Sequence, residues 1–456
     1  MNRFAPSRTF WRHFKSRHWR KSPFHQQRPR LPFQATPDEL FTALVAASEA
    51  SKGGSASALV RFFIGDALVP DIAYLPAPTD GSLDAYLSRL EHLLQGRKFG
   101  LVVSAIQGHS FSLWSHLREF LHGFYQSTGE PPYVAEAGIF LGNYESTAFG
   151  VHQDQVDVMM FVLKGSKTLR FWEPMALAPS EVARHRHAYQ PLLRRSTCAR
   201  AVAGDFVYWP AGHWHVGESD GLSLTLNVAL GTRGGTAANP TPLNAPPEIM
   251  AAAVQGLLNA RSRQERSARK RGSSFEHLRE KPLTLSMPLR AAVEALRESM
   301  INGALEGRLL AAELRRLTGF GFQPVPPLRP PPKLSHEETV RGNARYPIQW
   351  ARAGDTLVIA ANGHALTASF HPVLVRVLKR LNQGLPVPVA ELLRQPRSTT
   401  RVRGTVARPH PDDVIQLLKS LHRCRAIEFA EVAQETRGRP DGQRGSSVRP
   451  MPLSRD

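Results

Sequence analysis

Between residues 36 and 230 apolar positions first recur at helical spacing, as in Leu40, Leu44, Leu83, Leu87 and Leu90. They then gather in strand-length runs such as Val158–Leu163 and Phe206–Ala211. The pattern predicts helices packed on a β-rich core, a domain of residues 36–240. GTRGGTAANPTPLNAPP (Gly231–Pro247) breaks regular structure and reads as a linker. Helical periodicity returns at Leu289, Ala292, Val293, Leu296, Met300 and Leu305, interrupted upstream by a basic stretch at 261–271. A helical module over 248–322 follows. PVPPLRPPPK (Pro324–Lys333) predicts a semi-rigid spacer, 323–334. Beyond it, alternation over Thr356–Ala360, an Asn362-Gly363 turn and a second run at Ala365–Phe370 precede two helices, 372–381 and 412–421. A hairpin with helices predicts a winged-helix-like domain, 335–433, followed by a polar, disordered tail, 434–456. The fold class expected is α+β.

Composition narrows the function. The chain has 456 residues, 42% hydrophobic and 21% charged, ordinary values for a globular protein, which excludes disorder over most of its length. No apolar run approaches the roughly 18 residues of a membrane-spanning helix. Two cysteines, Cys198 and Cys424, make neither a disulfide framework nor a CxxC zinc site, so a reducing, cytoplasmic setting is expected. The formal net charge is +20, which favours anionic partners and leaves contact with RNA or the ribosome open. Residues 1–30 hold nine Lys or Arg and no acid, predicting a basic N-terminal arm, 1–35. A mitochondrial presequence has the same composition. Over Arg341–Val432, 14 basic residues face 6 acidic ones.

The candidate chemistry lies in FGVHQDQVDVMMFVLKGSKTLRFW (Phe149–Trp172). Alternate residues of a strand share a face, so His152 and Asp154 converge while Gln153 turns away. Farther on, GDFVYWPAGHWHVGES (Gly204–Ser219) delivers His213 and His215, also of one parity, and parity does not choose between them. Two histidines and a carboxylate on one face of a metal form the facial triad of non-haem ferrous oxygenases. His185 and His187, in ARHRHAY, read as an exposed basic loop. Lys167 shares a face with Leu169 and Phe171; a cation among apolar neighbours needs an anion, which a dicarboxylate co-substrate would supply. The alternative is a surface lysine in a polar turn. Phe149, Trp172, Tyr208, Trp209 and Trp214 read either as pocket walls or as core.

HQDQVDVMMFVLKGSKTLRFW followed by GDFVYWPAGHWHVGES resembles the JmjC-type 2-oxoglutarate oxygenases of the cupin superfamily, most closely the bacterial ribosomal oxygenases, which hydroxylate protein side chains. The resemblance implies a double-stranded β-helix core with Fe(II) held by His152, Asp154 and His215, rather than His213. It implies 2-oxoglutarate as co-substrate and O2 as oxidant. Lys167 falls on the position that binds the distal carboxylate, where the nearest ribosomal oxygenases carry Arg, and Asn227 in NVALG falls on the Asn lining the co-substrate pocket. RHWRKSPF (Arg17–Phe24) resembles the family's entry segment, which implies that the N-terminus is retained. The order of barrel, helical module and winged helix implies a homodimer through residues 248–322. The substrate expected is a side chain of a ribosomal protein or of a ribosomally made precursor peptide. RNA hydroxylation, or a non-catalytic cupin scaffold that binds nucleic acid, stands beside it, because the arm, the 261–271 loop and the last domain are more basic than in the nearest enzymes.

Overall fold

The computed structural model describes residues 8–28, 36–52, 60–129, 135–231, 287–328, 334–394 and 410–430. The linker beyond Gly231, the basic 261–271 stretch and the 434–456 tail lie outside these residues. No described helix is long and apolar enough to cross a membrane.

Four helices form one layer: α1 (Arg8–Arg17), α2 (Pro37–Lys52), α3 (Leu83–Leu94) and α4 (Phe111–Thr128). Leu83, Tyr86, Leu90 and Leu94 bury one stripe of α3, and Ser82 caps it by accepting from the Ala85 N–H. The layer covers an antiparallel sheet built from β1 (Phe24–Gln26), β2 (Val60–Ile64), β3 (Ala67–Leu68), β4 (Phe99–Val103), β5 (Ala135–Gly142), β6 (His152–Gln153), β7 (Val156–Trp172), β8 (Thr197–Val202), β9 (Phe206–Trp209), β10 (Trp214–Glu218) and β11 (Ser223–Gly231). A short helix, α5 (Pro179–His185), lies between β7 and β8. The main path runs β1-β9-β7-β11-β5-β4-β2-β3.

β7 serves two layers. Its first half pairs with β9 and β11, its second with β8 and β10. The change falls at Gly165, with φ of +74°, where an added Cβ would collide with the Leu222 carbonyl. A cavity opens where the two layers face each other.

The N-terminal region differs from a basic arm. Trp11 and Phe14 are fully buried, and the Trp11 ring meets Phe120 and Phe124 at 5.5 and 5.0 Å. The cations Arg12, Lys15 and Arg17 stay exposed on the other side of α1. Charge dominates the composition here, but helical spacing sorts it from a buried aromatic stripe.

The C-terminal half contains α6 (Met287–Ile301), α7 (Ala304–Gly319), β12 (Thr339–Gly342), β13 (Gln349–Ala353), β14 (Thr356–Ala361), β15 (His364–Ser369), α8 (Pro372–Leu381), β16 (Val387–Pro388), α9 (Val389–Leu393), α10 (Pro411–Arg423) and β17 (Ile427–Phe429). The hairpin read from the sequence is β14–β15. It belongs to a sheet β13-β14-β15, beside a second sheet β16-β12-β17. β14 is buried on both faces: Leu357 and Ile359 join the core under α8 and α10, while Val358 and Ala360 pack on Ala311 and Leu314 of α7. The helical module and the last region therefore share a core.

The described part of the proline-rich stretch, 324–328, is a strap rather than a free spacer. Val325 is fully buried in the main core, its N–H donates to the Asn362 carbonyl, and the Leu328 N–H donates to Arg423. Proline prevents helix or central strand but leaves an extended segment free to dock.

Candidate metal centre

β6 and β10 pair antiparallel with His215 opposite His152. His152 Nε2 lies 3.8 Å from Asp154 Oδ1 and His215 Nε2 lies 3.3 Å from Asp154 Oδ2. One ligand atom from each of the three residues falls within 4.8 Å of the others. Each histidine has a carbonyl at Nδ1: Gly150 O at 2.9 Å from His152 and His213 O at 3.1 Å from His215. With Nδ1–H donating, both Nε2 lone pairs face the common point, the orientation a metal ligand needs. Burial, and then the neighbouring His215, bring His152 down to about 4. Burial would raise Asp154, but His215 and His152 together bring it down to about 2. At neutral pH the pair is a free imidazole and a carboxylate, the forms that bind metal.

His213, left open by parity, is outside this cluster. It precedes β10 in the turn, where strand alternation does not apply, and its Nε2 faces Glu173 Oε2 at 3.4 Å. His187 is exposed and His185 half-buried; neither lines the cavity.

The cavity, of about 410 Å³, joins the triad to Lys167, Thr225 and Asn227. Lys167 is buried with Leu169 and Phe171, as alternation requires. Its Nζ donates to the Tyr144 hydroxyl and lies 4.0 Å from that ring's centroid. Burial lowers Lys167 to about 7. Asn227 Oδ1 and Thr225 Oγ1 are buried without a hydrogen-bond partner. A buried ammonium and orphaned polar atoms beside a three-donor cluster are what an anionic metal chelator would satisfy, so the residues present fit ferrous iron and a dicarboxylate.

The five aromatics divide. The Trp209 ring lies tilted 5.0 Å from His215 and the Phe149 ring meets His152 edge-on at 5.8 Å, and both line the cavity. Trp172 donates to Leu192 O within a buried cluster, against which Trp214 packs. Tyr208 donates to Asp157 Oδ1 at 3.0 Å and accepts from the Arg20 N–H at 2.8 Å. Asp157 also accepts from Ala211 N–H and pairs with Arg20 Nε at 3.3 Å. One buried carboxylate thus ties the entry segment and both motifs together.

Sequence reasoning missed several residues at the site. Gln153, outside the ligand cluster but part of the cavity lining, donates to Gly212 O at 2.6 Å, clamping the turn before β10. Tyr144, Arg61 and Arg186 come from segments without a motif. For Arg186 a signal exists, since it stands in the basic ARHRHAY stretch; its Nε donates to Phe149 O at 3.0 Å at the cavity mouth.

Residues 124–239 match the family model of the JmjC domain. This stretch is therefore a JmjC domain, the domain of 2-oxoglutarate-dependent oxygenases, and it carries the candidate His-Asp-His triad. Among solved structures the chain is similar to YcfD, a ribosomal oxygenase from Escherichia coli, at 15% identity and a TM-score of 0.46, covering 92% of this chain and 98% of that one. The same protein in complex with cobalt and 2-oxoglutarate matches at 15% identity and a TM-score of 0.45 over the same shares. A cupin superfamily protein from Desulfitobacterium hafniense matches 22% of this chain and 68% of its own at 15% identity and a TM-score of 0.16. No curated protein matches.

Proposed function

We propose that the chain uses Fe(II), 2-oxoglutarate and O2 to hydroxylate an amino-acid side chain of a protein or peptide, a ribosomal protein or a ribosomally made precursor. The observation that carries the reading is one cavity holding both the His152, Asp154, His215 cluster and a buried Lys167 with no carboxylate partner among the described residues. When bound, ferrous iron and 2-oxoglutarate would supply the electrons that activate O2 for oxidation of an unreactive C–H bond. His152, Asp154 and His215 would hold the ion, three protein ligands that would leave coordination positions for co-substrate and O2. Lys167 pairs with the distal carboxylate, and Asn227 and Thr225 offer polar atoms to the same molecule. Trp209, Met160 and Leu169 give the cavity apolar walls. His152 and Asp154 keep 23% and 30% of their side chains exposed, so the site opens to solvent and a polypeptide can present one side chain to it. Pairing of two copies through 248–322, a winged-helix-like role for 335–433 in substrate capture, and a cytoplasmic setting belong to the same proposal.

The test is calorimetry of 2-oxoglutarate binding with an inert divalent metal replacing iron. Wild type is expected to bind only with metal, and Asp154→Ala and Lys167→Ala to lose that binding while keeping a cooperative thermal transition. Peptides and RNA are then screened for a mass gain of one oxygen. No binding by folded wild type would refute the co-substrate site, and oxygen gained by RNA alone would move the substrate class.

A further inference from the structure

Arg61 is a cation that the triad and the co-substrate pocket leave unused. It lines the same cavity from β2. The register places Arg61 opposite Val102, Val102 opposite Phe140 and Phe140 opposite Thr225, so the four stand in one row on the cavity-facing side. Three strand spacings, roughly 14 Å along the sheet, separate Arg61 from Thr225. Its guanidinium sits 5.2 Å over the Phe149 ring, which in turn lies 5.8 Å from the His152 ring. Arg61 Nε is buried without an acceptor, and among the described residues Arg61 forms no ion pair. Glu136 acts on it only through its charge.

Charge balance sharpens the point. A divalent metal with Asp154, and a dicarboxylate with Lys167, sum to neutrality. Arg61 and Arg186 remain, both beside Phe149 in the cavity lining, with Glu136 reaching Arg61 through its charge but not through a hydrogen bond. An incompletely bonded guanidinium recovers its lost hydration best from a carboxylate, which matches its planar donors. Resting on the peptide-hydroxylase reading above, we infer that Arg61 is a specificity-determining residue that pairs with a carboxylate of the substrate. The substrate class is an acidic peptide, with Asp or Glu at or beside the oxidised residue.

The test probes an array of random-sequence peptides with the full chain loaded with zinc and 2-oxoglutarate at physiological salt. Wild type, Arg61→Gln, Arg61→Glu and a control, Arg200→Gln, are compared; Arg200 is exposed on β8 away from the cavity. Wild type and the control are expected to favour Asp- and Glu-bearing peptides. Arg61→Gln is expected to lower that preference by about tenfold, the worth of one charge-assisted hydrogen bond, and Arg61→Glu to favour Lys- and Arg-bearing peptides. 2-Oxoglutarate binding stays at the wild-type level in Arg61→Gln. An equal drop in the control would show general attraction to a basic protein and overturn the inference. Loss of 2-oxoglutarate binding in Arg61→Gln would also overturn it, making Arg61 a co-substrate contact. Peptides bound without acidic preference would sink Arg61's role and leave the hydroxylase reading standing. If no peptide binds while 2-oxoglutarate does, both fail and the substrate is not a peptide.

Discussion

His213 and His215 have the same parity and nearly the same burial, yet only His215 turns its Nε2 toward Asp154. His215→Ala is therefore expected to weaken metal binding by more than about 100-fold, and His213→Ala by far less, because second-layer changes cost 10–100-fold or below. A metal titration monitored by calorimetry checks this, and equal losses would contradict the geometry. Lys167 adds a pH dependence. Burial sets it near 7 in the free protein, whereas a bound carboxylate favours the charged form. Below pH 7 this group leaves co-substrate affinity unchanged. As pH rises above 7 the affinity is expected to fall toward tenfold per unit, with uptake of a proton, read by calorimetry in buffers of different ionisation enthalpy. The sign for stability is the reverse of a salt bridge: without co-substrate the unfolded chain holds the extra proton above pH 7, so stability contributed here rises from pH 7 toward 10.5.

At the level of elements, the long run from Val156 to Trp172 is readable because its second half alternates and its first is apolar but for Asp157, the pattern of a strand covered on both faces. That is why Lys167, which shares a face with Leu169, is legible as a candidate buried cation, although a surface lysine in a polar turn fits the same pattern. Tyr144, which holds the Lys167 ammonium from the loop after β5, and Arg61, which sheet register brings in from β2, are not legible, because neither segment has a motif of its own. The N-terminal segment is misread for a different reason: net charge describes a stretch, while burial is decided residue by residue along α1. Trp11→Ala is expected to cost about 3–5 kcal/mol, the range for truncating a buried aromatic. Urea unfolding checks it, and a change below 1 kcal/mol would restore the picture of a loose arm.

On the scale of the whole molecule, α4 meets the last region through several contacts, with Glu119 engaging Arg345 and Tyr346 and Arg118 buried beside them. Arg118 Nη1 donates to Asn362 Oδ1 at 2.6 Å, while the guanidinium lies 3.6 Å from the Tyr346 ring centroid. Asn362 also donates to the Cys424 and Arg425 carbonyls at 2.9 Å each. Asn362→Ala is expected to destabilise by about 1–3 kcal/mol, the cost of stranding buried polar groups. Unfolding followed at once by tryptophan fluorescence and circular dichroism checks whether both halves melt together. Composition suggests a chain divided by a proline spacer, and it does not reveal the strap, because docking of an extended segment leaves no periodicity. The strap also has a consequence for the order in which the chain matures on the ribosome. Phe322 and Val325 belong to the same buried cluster as Trp114 and Leu230, so the barrel's packing stays incomplete when its last strand emerges. At synthesis rates of about 5–20 residues per second, the closing residues follow roughly 5–20 s later. Until then the nascent barrel exposes apolar surface that a holding chaperone would have to cover.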